Sequence, residues 1–250
     1  MANNHHILEV CAADIDSALN AKAGGAERIE LCSALSEGGI TPSYGLAKQA
    51  LALGMKVHAL IRPRGGDFLY SPAEVRTMVT DIKMLRQLGV DGVVIGCLTE
   101  NGDIDIDACR QLVDAAGGDI NITFHRAFDR CRCPEEALEQ IIELGCNRVL
   151  TSGQQPTAVE GIPLLTQLVK QAADRIIIMP GCGVNASNAA HILQATGASE
   201  IHASASTTVS SQMKFSRNDV YMGAKGADED NRKVTSEVVV ADILRAINGI

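Results

Sequence analysis

Leu8-Glu9-Val10-Cys11 and Ile29-Glu30-Leu31-Cys32 repeat one short pattern. Each reads as a buried strand in which an acid and a thiol alternate with apolar residues. Side chains along a strand point to opposite faces in turn, so Glu9 shares a face with Cys11 and Glu30 with Cys32. Residues 14–23 between them read as a helix closed by Gly24-Gly25. If the two strands are parallel neighbours, two carboxylates and two thiols crowd one small region. Packing a core does not require that.

The same strand-then-helix alternation runs through the chain. Strands are expected at 28–31, 57–61, 92–96, 121–124, 147–151, 175–179 and 200–204. Helices are expected at 41–53, 72–88, 105–115, 134–144, 162–173 and 185–196, with Pro42 read as a first-turn proline. Helix-closing glycines recur at Gly54, Gly89, Gly145 and Gly197. Eight such units imply a parallel sheet closed into an α/β (β/α)8 TIM-like barrel. An open doubly wound sheet is the competing architecture, weakened because no G-x-G-x-x-G follows the first strand. No composition break divides the chain, so one domain is expected over residues 7–250 after a flexible 1–6. Residues 205–234 read as a long irregular segment that covers a site, joins a partner or is disordered near 223–233, before a final helix at 235–247.

Composition limits the function. The hydrophobic fraction is 46% but aromatics are only 3% with no Trp, so aliphatic side chains and Ala must fill the core. A net charge of -8 without a basic run argues against nucleic acid and against anionic membrane surfaces. No apolar run approaches membrane-helix length. The polar start, with His5-His6, has no signal-peptide core and no assigned role. Eight cysteines without an export signal imply free thiols in a reducing cytoplasm. The absence of C-x-x-C speaks against a zinc knuckle.

Alternation sorts the remaining polar residues. Glu9, Cys11, Glu30 and Cys32 face inward, as do His58, Leu60 and Arg62 on the third strand. Asn121, Thr123 and His125 do so on the fifth, and Glu200, His202 and Ser204 on the eighth. The mouth at the strands' carboxyl ends is where this fold carries its sites. Buried Glu9 and Glu30 need cations; Arg62, Arg64, His125 and Arg126 lie at strand ends that can supply them, either as a ligand site or as an ion-pair network closing the barrel. Arg62-Pro-Arg-Gly-Gly-Asp67 suits an anion, unless an Arg–Asp67 pair simply holds the loop rigid. His125 with Asp129 suits proton transfer or an oriented ligand. Ser152-Gly153, Gly181 and Gly183 form small, donor-rich loops that can hold phosphate or carboxylate, and His202 is placed with this anion-binding set. Cys11 and Cys32 end inner rows on neighbouring strands, where two thiolates can face one soft ion, softness favouring Cu(I).

These segments together resemble the CutC copper-homeostasis family. The resemblance rests on Glu9-Val-Cys11, Gly24-Gly-Ala-Glu-Arg-Ile-Glu-Leu-Cys32, Glu37-Gly-Gly-Ile-Thr-Pro-Ser43, Ile61-Arg-Pro-Arg-Gly-Gly-Asp-Phe68, Thr123-Phe-His-Arg-Ala-Phe-Asp129, Arg148-Val-Leu-Thr-Ser-Gly153 and Met179-Pro-Gly-Cys-Gly-Val184. It implies a cytosolic TIM-like barrel, a homo-oligomer (dimer or tetramer), and a Cu(I) site carried over onto Cys11 and Cys32. Two functions follow. One is a Cu(I)-binding homeostasis protein. The other is an isomerase, lyase or hydrolase for a small anionic substrate, phosphorylated or not, with Arg62, Arg64 and Arg126 holding the anion and Glu9, Glu30, His125 and Asp129 moving protons.

Overall fold

The computed structural model describes residues 6–250 other than 216, 218, 224, 225 and 227; the expected flexible start, including His5, lies mostly outside them, as does part of 223–233. Eight parallel strands form the barrel: β1 (Ile7–Ala12), β2 (Arg28–Leu31), β3 (Lys56–Leu60), β4 (Gly92–Ile95), β5 (Asn121–Phe124), β6 (Arg148–Thr151), β7 (Ile177–Pro180) and β8 (Glu200–Ala203). Hydrogen-bonded neighbours run β7-β6-β5-β4-β3-β2-β1-β8, so the barrel is nearly closed, its open seam lying between β7 and β8. The TIM-like barrel is the fold, and the open doubly wound sheet is excluded.

Helices α1 (Ile15–Ala23), α2 (Tyr44–Leu51), α3 (Pro72–Leu88), α4 (Ile106–Ala116), α5 (Pro134–Glu143), α6 (Ile162–Ala172) and α7 (Ala189–Thr196) follow the first seven strands. Local chemistry sets their ends. Ser71 and Glu74 form a reciprocal capping box at the start of α3, with Pro72 in the first turn and Gly89 closing it at φ 101°. At α2 the cap is Ser43, whose hydroxyl accepts from Leu46 N; Pro42 therefore precedes the helix instead of opening it. α7 begins at Ala189, four residues later than expected, because Asn185 and Asn188 use their side chains to build a turn first.

The outward strand residues Leu8, Val10, Ile29 and Leu31 join the core between barrel and helices. Cys11, Cys32, Leu60 and Val94 form a separate small cluster inside the barrel. Thus the alternation read from sequence separates two cores.

The segment after β8 is not irregular throughout. β9 (Ser206–Ser210) and β10 (Asn231–Thr235) pair antiparallel, followed by α8 (Glu237–Asn248). Both faces of most of this ribbon are exposed, so it carries no hydrophobic period to betray it. Its end is pinned to the barrel: Thr235 N donates to Ser17 Oγ at 3.2 Å, and Arg232 pairs with Asp14 and Asp16.

Candidate functional site

The floor of the site is a buried charge layer. Arg28, inward on β2 by the same parity as Glu30, puts Nε 2.6 Å from Glu9 Oε2 and donates through Nη2 to Glu200. Glu200 also accepts from Arg148 on β6 at 2.7 and 2.9 Å. The cations expected for Glu9, namely Arg62, Arg64, His125 and Arg126, do not supply it. Register decides this: Glu9 lies level with Arg28 on the neighbouring strand, one layer below the mouth. Burial alone would raise the Glu9 carboxyl, but the hydrogen bond from His202, the nearby His58 ring at 3.4 Å and the charge of Arg28 outweigh it and hold Glu9 well below the usual carboxylate range.

Glu9 is therefore ionised and can only accept. His202, its register partner on β8, must donate from Nδ1, which lies 3.0 Å from Glu9 Oε1. The other ring nitrogen, Nε2, faces Glu30 Oε2 at 3.7 Å. Burial opposes charge on His202, yet hydrogen bonds to Cys11 and Glu9 and the nearby carboxylates raise it well above the ordinary histidine value. Burial raises Glu30.

Cys11 Sγ lies 3.7 Å from Cys32 Sγ, much longer than the roughly 2.05 Å of a disulfide, and both are free thiols. The hydrogen bond with Cys32, then burial, pushes the Cys11 thiol well above its usual range, so a metal must displace its proton. Metal–thiolate bonds of about 2.3 Å let one ion reach both sulfurs. Ligand atoms of Cys11, Glu30 and His202 lie within 4.8 Å of one another. Two thiols, an imidazole and a carboxyl fit a soft or borderline metal. Alternation had brought His202 inward; the stagger that sets it beside Cys11 was missed.

Above this cluster opens a cavity of about 420 Å³, lined on one side by Cys11, Glu30 and His202 and on the other by Arg62, Phe68 and His125. Arg62 is buried and bound by backbone carbonyls of Glu37, Gly39 and Gly66 at 2.6 to 2.8 Å. His125 Nδ1 accepts from Ala127 N at 3.1 Å, which leaves the proton on Nε2. Burial, with the charge of Arg62, lowers its pKa to about 3, so the ring is neutral at physiological pH.

Several expected pairings differ. Asp129 does not serve His125. Its carboxylate accepts from Thr151 Oγ1, Ser152 N and Oγ, Gln154 N and Arg126 Nε. An internal carboxylate thus occupies the loop read as an anion cradle at Ser152-Gly153, and Gly153 N is spent on Thr151 Oγ1. Gly181 N donates to Thr151 O, and Gly183 O accepts from Asn185 and Asn188; neither glycine lines the cavity. Arg64 also lies outside it, tied to Glu74 at 2.6 Å and Asp67 at 3.1 Å. Cys32 is fully buried and does not line the cavity.

The CutC family model matches residues 6–207. A CutC family protein of Bacteroides thetaiotaomicron is 55% identical over 243 residues, covering 96% of this chain and 97% of that one. The human copper homeostasis protein cutC homolog is 47% identical, covering 100% of this chain and 90% of its own. Among solved structures, one assigned as the copper homeostasis protein CutC of Streptococcus agalactiae superposes with a TM-score of 0.76 at 37% identity, over 80% of this chain and 98% of that one. An aldolase, QR15, shares the fold alone, with a TM-score of 0.61 at 16% identity over 82% of this chain and 92% of its own.

Proposed function

The chain belongs to the CutC family, and we propose that it is a copper homeostasis protein that takes up Cu(I) at Cys11, with His202, Glu30 and Cys32 completing the donor set. The observation that carries this reading is the convergence of a thiol, an imidazole and a carboxyl inside a barrel mouth, with a second thiol 3.7 Å from the first. Sulfur favours Cu(I) among the common first-row ions. Glu9 supports the assignment from behind: by accepting the hydrogen bond from His202 Nδ1 it turns Nε2 toward the cluster, the carboxylate–histidine arrangement that orients metal ligands.

The ion is cargo, so the site's work is uptake and retention. Cys11 and His202 lose protons as the ion enters, and the charge layer beneath holds the side chains in place. Eight free thiols fit a reducing cytoplasm, and among the described residues no helix is long and apolar enough to cross a membrane. Residues 7–250 act as one domain within a homo-oligomer, dimer or tetramer; exposed Met213, Phe215 and Met222 beyond β9 offer apolar surface for the contact.

The test is anaerobic Cu(I) titration against a chromophoric chelator. One-to-one uptake is expected in the native chain, with strong loss in Cys11→Ser and in His202→Ala. Unchanged affinity in both variants sinks the reading.

A further inference from the structure

Every other buried guanidinium in the barrel has an acid. Arg28 pairs with Glu9 and Glu200, and Arg148 with Glu200. Arg62 is as deeply buried, at 5% exposure, yet among the described residues no acid pairs with it and its hydrogen bonds go to backbone carbonyls. Carbonyl dipoles satisfy N–H groups but leave the net charge in place, and burying an unpaired charge is costly. Its Nε has no partner, and neither does Nε2 of His125, which carries that ring's proton. Both residues line the one cavity, and both lie against Phe68: the Arg62 guanidinium is 5.2 Å from the ring centroid, the His125 ring 5.0 Å.

A metal ion does not answer these groups. Donor N–H atoms and a cation repel it, and a cavity of about 420 Å³ is the size of a small-molecule pocket. We propose that this half of the mouth binds the carboxylate of a small organic acid between Arg62 and His125, with its apolar body against Phe68, Leu60 and Leu150. The charge supplied is the one Arg62 lacks. Two single donors suit the two oxygens of a flat carboxylate. Phosphate needs more: the donor-rich loop it would use, around Ser152 and Gln154, already holds Asp129. Leu60, Phe68 and Leu150 line the same cavity and give an organic body something to pack on. This site stands on Arg62 and His125, independently of any ion at Cys11.

The experiment uses the full metal-free chain, with 4-methylpentanoate as ligand and 4-methylpentanamide and inorganic phosphate as controls. Ring ¹⁵N resonances of His125, identified by their absence in His125→Asn, report binding at the site. Arg62 also ties three loop carbonyls, so Arg62→Met risks misfolding; His125→Asn keeps an acceptor for Ala127 N and removes only the second donor. The carboxylate should shift the His125 signals saturably, with affinity on the order of millimolar for so small a ligand. The amide should bind at least about tenfold more weakly, and His125→Asn should weaken carboxylate binding, followed by saturation transfer, by a similar factor. No saturable shift in the millimolar range, equal binding of the amide, undiminished binding in His125→Asn, or displacement of the carboxylate by equimolar phosphate each overturns the proposal.

Discussion

Glu9 and His202 are direct register partners on the paired strands β1 and β8, and their side chains meet at 3.0 Å between Oε1 and Nδ1. The strand pairing that joins β8 to β1 also aims the imidazole. Replacing Glu9 with Gln removes the ionised acceptor that keeps the proton on Nδ1. Cu(I) affinity should fall by about ten- to a hundredfold, the usual effect of losing such a supporting carboxylate, with Cys11 and His202 still present. Chelator competition measures it.

His125 and His202 share one cavity and should titrate in opposite directions. His202 is raised and His125 is lowered to about 3. Ring resonances followed from pH 8 to 4.5 should show His125 neutral throughout while His202 stays charged to the alkaline side of 6.5. A His125 midpoint near 6.5 would contradict the burial and Arg62 field assigned to it.

Acid should destabilise the barrel through its floor. Burial opposes ionisation of Glu200, but Arg148 and Arg28 outweigh it and hold its carboxyl below the usual carboxylate range. A depressed carboxylate contributes stability that is fully present above its unfolded pKa and lost as pH falls through the folded value. Unfolding by urea should therefore become easier below about pH 4.5. Glu200→Gln should be less stable at pH 7, with a smaller further loss on acidification.

Asp129 is assigned a structural role and should separate from metal binding. Asp129→Ala strands the N–H groups of Ser152 and Gln154 and the Thr151 hydroxyl, and unsatisfied buried donors cost roughly 1–3 kcal/mol each before relaxation. Denaturant midpoints should drop markedly, while Cu(I) affinity in the folded protein stays at the native level.

Alternation alone put Glu9, Cys11, Glu30, Cys32 and His202 on the inner face, and eight strand–helix units led to the barrel. Alternation is silent about stagger. Cys11 lies level with Glu30 and Glu9 with Arg28, so the acids found partners that a reading centred on strand ends passed over. Arg28 and Arg148 were legible by parity, two residues before Glu30 and Leu150, once inward cations were sought. The β9–β10 ribbon left no trace, since strands exposed on both faces have no period. Nor did Asp129 betray its partners: sequence proximity suggested His125, whereas the loop after β6 offered more donors.

X-ray absorption on the Cu(I)-loaded chain tests the central claim most directly, because it reads the donor atoms themselves. Sulfur and histidine nitrogen should both appear in the copper shell of the native protein, with the imidazole contribution lost in His202→Ala and the sulfur contribution lost in Cys11→Ser/Cys32→Ser. A shell without sulfur, or one unchanged in these variants, would contradict the assignment of Cu(I) to this mouth.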